Sequence, residues 1–147
     1  MSDLPMNTRA TVIPCVTYRD AIRAIEWLCT TFGFEKRAVY EDPPGHVVHA
    51  ELTFGNGMLM VGSSSPDTDY GRLMVQPDEV GGRATQTVVV ITQQPDEIYR
   101  RARAAGAAII FEIKDASYGG RGFSCRDLED HIWSFGSYDP WQTPASG

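Results

Sequence analysis

The chain is short of positive charge. Its 147 residues hold 13 Lys or Arg against 19 Asp or Glu, a formal net charge of −6. A nucleic-acid partner needs a basic footprint to displace counterions from phosphate, and this balance does not supply one. It argues equally against an anionic membrane surface. No apolar run is long enough to cross a bilayer. The opening MSDLPMNTRATV has no charged segment followed by an apolar one, so no secretory signal is expected. Cysteine is scarce: Cys15, Cys29 and Cys125 are odd in number, irregular in spacing and form no CxxC. That excludes a disulfide framework and leads us to expect free thiols in a reducing cytoplasm. Histidine is scarce too. His46, His49 and His131 form no HxH, HxxxH or HExxH, and neither GxGxxG nor GxxxxGK[ST] occurs.

What is present is ordinary for a globular protein: 42% hydrophobic and 22% charged residues. The length allows one domain or two very small ones. Two helices are legible. Asp20 is a good N-cap, and Ala21, Ile22, Ile25, Leu28, Cys29 and Phe32 recur at helical spacing before Gly33. Pro95 and Asp96 start the second, with Ile98, Ala102 and Ala105 as its stripe and Gly106 as its stop.

The two helices are in register. Gly33 and Gly106 are 73 residues apart, as are Asp42 and Asp115, which close the strand-like runs FEKRAVYED and AAIIFEIKD. Further on, FGNGMLMVG (54–62) matches DLEDHIWSFG (127–136) at an offset of 74. A strand precedes each helix, ATVIPCVTY (10–18) and ATQTVVVIT (84–92). The chain therefore reads as two copies of strand, helix, strand, strand, strand. Module one spans about 10–64 and module two about 84–138, with a linker at 65–83; the surrounding segment 63–82 is rich in turn residues.

A tandem βαβββ repeat of this length, closing on DLEDHIWSFGSY, resembles the vicinal oxygen chelate superfamily over residues 10 to 138. That family includes glyoxalase I, bleomycin-resistance proteins, extradiol dioxygenases and fosfomycin-resistance proteins. The closing segment looks like the family's Asp-Pro-x-Gly-His turn and strand, with Leu128 in place of the proline and Asp130 in place of the glycine. The resemblance implies an α+β fold in which the modules form a cupped mixed sheet around a cleft. It also implies a homodimer. Asp127 to His131 then make a hairpin turn, which leaves His131 as a turn residue or as a weakly signalled ligand. Trp133 and Phe135 share one face of the last strand, and Ile132, Ser134 and Gly136 the other.

Carried over residue by residue, the family's metal ligands fall on Ile13, Met60, Thr87 (or Gln86, one register away) and Ser134. None is His, Asp or Glu, so neither a catalytic metal nor another cofactor is expected. Without a metal, the resemblance leaves a concave space for a small, largely apolar, flat organic molecule. Its candidate ligand-binding residues are Ile13, Cys15, Thr17, Met58, Met60, Thr87, Ser124, Arg126 and Ser134. On the third strand, Val48, Ala50, Leu52 and Phe54 should face the helix, and His49, Glu51 and Thr53 the other side. His49 beside Glu51 is the best acid–base pair, equally readable as a solvated polar face. Arg126 could bind a carboxylate, or pair with Asp127 or Glu129. Cys29 should be core, while Cys15 and Cys125 could reach the cleft. The function these residues suggest is metal-free binding of a small molecule, as in a sequestering resistance protein. The alternative is a lyase, isomerase or dioxygenase of the same superfamily.

Overall fold

The computed structural model describes residues 5–142. Eight strands and two α-helices run in the order β1 (Cys15–Tyr18), α1 (Ala21–Trp27), β2 (Glu35–Glu41), β3 (Val47–Phe54), β4 (Gly57–Ser63), β5 (Val88–Ile91), α2 (Pro95–Ala104), β6 (Ile109–Asp115), β7 (Arg121–Arg126) and β8 (Ile132–Gly136). The chain divides between Gln76 and Pro77 into two compact units. Each holds one four-stranded sheet, ordered β1-β4-β3-β2 in module one and β5-β8-β7-β6 in module two. Both sheets are mixed: the first and last strands pair in parallel and the other pairs are antiparallel. The fold class is the one expected, two βαβββ modules.

The repeat is kept at the level of single rungs. Cys15 lies opposite Met60 in module one, and Val89 lies opposite Ser134, each 74 residues on. Across the sheet, Glu51 faces Met60 as Ser124 faces Ser134. Ala38 faces Glu51 as Phe111 faces Ser124.

Helix α1 starts at Asp20, whose side chain accepts from the Arg23 amide. Its last turn, Leu28–Phe32, is wound as a π-helix and ends at Gly33, with φ 93° in the left-handed region that glycine adopts without steric cost. Ala21, Ala24, Ile25, Leu28, Thr31 and Phe32 are buried, whereas Ile22 and Cys29 are only half-buried. In α2 the buried side chains are Pro95, Ile98 and Ala102. Ala105 is exposed, because it caps the helix rather than continuing it.

The helix-facing side of each sheet makes that module's core. Leu52, Leu59 and Val61 fill it in module one, and Phe123, Cys125, Trp133 and Phe135 in module two. Cys125 is fully buried, so it does not reach an open surface as expected; burial pushes its thiol up to about 12. Val48 is also corrected. Tyr40 pairs with His49 and Glu41 with Val47, so Val48 is the extra residue of a bulge. Val47 takes the core position at 1% exposure, and Val48 is 59% exposed.

The segment before the last strand is organised by one carboxylate. Asp127 is 4% exposed. Its Oδ1 accepts from the amides of Glu129 (2.9 Å) and His131 (3.1 Å), and its Oδ2 from the Trp133 indole (2.9 Å). The turn closes with the Asp127 amide donating to the His131 carbonyl at 2.8 Å. Asp130 stands at φ 74°, where the family pattern has glycine. The acidic run thus places a buried acceptor under Trp133, and His131 contributes its backbone to the turn.

Two substitutions separate these effects in urea unfolding. Asp127→Ala leaves three donors without their acceptor and should cost about 3 kcal/mol. Asp130→Gly relieves the left-handed backbone and should be neutral or stabilising by about 0.5 kcal/mol. A wild-type midpoint in Asp127→Ala would contradict this account of the turn.

Candidate functional site

Each sheet turns one face to its helix and leaves the other open. The open face of module one carries Cys15, Met60, Glu51 and Ala38 as one row across all four strands. Met58 stands opposite Thr53 one step away, and Thr17 opposite Gly62 on the other side. His49 Nε2 lies 2.8 Å from Glu51 Oε2. An ionised carboxylate only accepts, so this nitrogen carries the proton and Nδ1 is the ring's basic position. Arg37 Nε donates to the other Glu51 oxygen at 3.2 Å. The rings of Tyr40 and His49 stack at 6.1 Å with 21° between their planes. The His49 hydrogen bond holds the Glu51 carboxyl below the usual carboxylate range against a desolvation effect that raises it, and Arg37 adds to the lowering.

Module two repeats the row with other chemistry. Val89, Ser134, Ser124 and Phe111 line up across β5, β8, β7 and β6. The two serine hydroxyls are 2.7 Å apart. Val89 is 68% and Phe111 62% exposed, so this row is apolar at both ends with a hydroxyl pair between. Tyr118, from the loop before β7, meets Tyr138 edge-on at 5.1 Å and 89°. Together these groups bound a cavity of about 600 Å³ whose floor includes Gly122 and Gly136.

Of the candidate residues, Cys15, Thr17, Met58, Met60, His49 and Glu51 share the open face of module one. Ser124 and Ser134 meet in module two. Ile13 and Thr87 lie just outside the ladders, which begin at Cys15 and Val88. Arg126 Nη1 donates to the Gly82 carbonyl (2.6 Å) and the Asp130 carbonyl (3.1 Å), fastening the linker to the turn. The cavity is lined by Arg121 instead, and Arg121 is held by Asp96 through bonds of 3.0 and 3.1 Å. Val89 and Phe111 were not among the candidates. The repeat could have found Val89, 74 residues beyond Cys15; Phe111 lies 73 beyond Ala38, which was not a candidate itself.

The donor set does not suit the family's metal. At the four carried-over positions stand an aliphatic side chain, a thioether and two hydroxyls, one of them already bonded to Ser124. Divalent ions of this class need imidazole, carboxylate or thiolate in a converging set. Among the described residues no three His, Cys, Asp or Glu side chains form such a group. No helix among them is long and apolar enough to cross a membrane.

Two βαβββ units, each pairing its first strand in parallel with its last, define the vicinal oxygen chelate fold. The sequence model of the Glyoxalase/Bleomycin resistance protein/Dioxygenase superfamily matches residues 11–135, and the chain belongs to that superfamily. Among solved structures it is similar to TioX from Micromonospora sp. ML1, at 32% identity and a TM-score of 0.67, covering 86% of this chain and 97% of that one. It shares its fold with a lactoylglutathione lyase from Agrobacterium tumefaciens (17% identity, TM-score 0.59, 91% and 97% covered). It also shares it with FosX, a genomically encoded fosfomycin resistance protein from Listeria monocytogenes (11%, 0.62, 90% and 95%). No curated protein matches the chain.

The His49–Glu51 contact has a pH signature. A depressed folded-state pKa contributes stability above the unfolded carboxyl's range, and that contribution is lost as pH falls through the lowered value. In His49→Ala the Glu51 carboxyl should titrate nearer its usual value, followed by carboxyl carbon NMR. An unmoved midpoint would show that the contact is absent in solution.

Proposed function

We propose that the protein binds a small, largely apolar, flat organic molecule without a metal and withholds it from other targets, as a sequestering resistance protein does. The observation that carries this reading is the cavity of about 600 Å³ on the open face of module two. Phe111, Val89 and the Tyr118–Tyr138 pair offer apolar and aromatic surface there, and Ser124 with Ser134 offers hydroxyls to orient a polar substituent. The metal-poor donor set agrees with binding rather than Lewis-acid chemistry. A homodimer and a cytoplasmic setting belong to the same proposal, the first from family resemblance and the second from the free thiols.

A second reading is favoured by one contact, the 2.8 Å hydrogen bond between His49 and Glu51. There His49 Nδ1 would take a proton from a bound substrate, and Glu51 would fix the tautomer and stabilise the imidazolium. That makes the protein a metal-free lyase or isomerase of the same superfamily.

Calorimetric titration with 2-naphthol, a flat two-ring probe, tests the first reading. Binding should persist in excess EDTA and weaken about tenfold in Phe111→Ala, the equivalent of about 1.4 kcal/mol of lost ring contact. Unaltered affinity in Phe111→Ala, or loss of binding with EDTA, would overturn it.

A further inference from the structure

Four formally charged residues line the cavity of module two: Glu112, Lys114, Asp115 and Arg121. Three are committed within the module. Glu112 Oε2 accepts from the Tyr99 hydroxyl and from Arg103 Nη1 at 3.2 Å, both on α2. Arg121 donates to Asp96, also on α2, and to Asp115 at 3.4 Å. Lys114 alone of the four has no carboxylate partner among the described residues. We infer that the molecule bound in module two is an aromatic carboxylic acid, and that Lys114 receives its carboxylate. The inference rests on the binding reading above and narrows it to one ligand class.

The register places Lys114 on the open face. Phe111 and Lys114 are three residues apart, and regular alternation would set them on opposite sides of β6. The pairing is not regular. Phe111 lies opposite Ser124 and Lys114 opposite Gly122, so three steps along β6 answer two along β7. That bulge returns Lys114 to the side that carries Phe111 and the Ser124–Ser134 hydroxyls.

The rung on which Lys114 stands is bare in the middle. Ile91, Gly136, Gly122 and Lys114 line up across β5, β8, β7 and β6. A Cβ on Gly122 would lie 2.6 Å from the Phe135 carbonyl oxygen, so glycine is required there. Neighbouring strands are about 4.8 Å apart. A two-ring molecule lying over the glycines therefore spans both strands and ends beside Lys114. Phe111 and the Tyr118–Tyr138 pair border the same space. The rings would meet aromatic surface while the carboxylate meets the ammonium group.

The repeat shows that the bare rung is not a by-product of the fold. In module one the open-face step after Ala38 and Glu51 is Tyr40 opposite His49. Their rings stack and fill it, and the charge beside them is the Glu51 carboxylate. Module two has Lys114 and Gly122 there instead: a cation in place of an anion, and open floor in place of a ring.

An ion pair open to solvent contributes little, so ring contact supplies most of the affinity and Lys114 the choice of substituent. The test is calorimetric titration of the full chain at pH 7 with 2-naphthoate, which is charged, and 2-naphthol, which is neutral. 2-Naphthoate should bind about fivefold more tightly at low ionic strength. The preference should shrink to less than about twofold in about 0.5 M salt. In Lys114→Met the ratio of the two Kd values should fall to about one, and Lys114→Arg should keep the wild-type preference. If Lys114→Met does not fold, the salt series decides. Equal binding of the two probes, a preference untouched by salt, or an unchanged ratio in Lys114→Met would overturn the inference and leave the binding reading standing. Binding of neither probe would overturn both.

Discussion

Parallel strands cannot be joined by a tight turn, so the first strand of each module reaches its partner only after a helix and two further strands have been laid down. That pairing is the constraint on which both open faces depend. It brings Cys15 beside Met60 and Val89 beside Ser134. The antiparallel strands extend each rung to Glu51 and Ala38, or to Ser124 and Phe111. The helix covers one side of the sheet, so the other side of every rung is left uncovered by it. In module two the start of β8 is set by Asp127, whose carboxylate gathers two turn amides and the Trp133 indole.

Much of this was legible because it rests on local chemistry or on an offset. Asp20, Gly33, Pro95 and Gly106 delimit the helices as capping and stop residues should. The offsets of 73 and 74 predicted the second module from the first, and Trp133 with Phe135 packs inward as alternation required. What escaped were departures from a regular period. The bulge at Val48 shifts β3 by one residue, and Val47 takes the core position expected of Val48. The first strand begins late: Pro14 has no amide to donate, and the ladder starts with its carbonyl, which accepts from Met60. The candidate site was legible in module one, where polar residues stand out. In module two only Ser124 and Ser134 were legible, because Val89 and Phe111 look like core residues until the register places them on the open side.

The two faces show what a repeat permits. Equivalent rungs hold a thiol, a thioether, the Glu51 carboxylate and an alanine in one copy, and a valine, two serines and a phenylalanine in the other. The backbone tolerates this because open-face side chains do not enter the core. The fold therefore keeps its strand pairing while the chemistry of each face changes independently. At the positions onto which the resemblance carries the family's metal ligands stand Ile13, Met60, Thr87 and Ser134, and on that alignment the proposed recognition rests on apolar contact and hydrogen bonding.

That claim is tested most directly by metal content per chain. The protein would be purified without a polyhistidine tag or chelator, then dialysed against Zn²⁺, Ni²⁺, Mn²⁺ and Fe²⁺ together. A metal-independent binder should retain close to none. About one tightly held ion per chain would contradict the account and return His46, His49, Glu51 and His131 to consideration as donors.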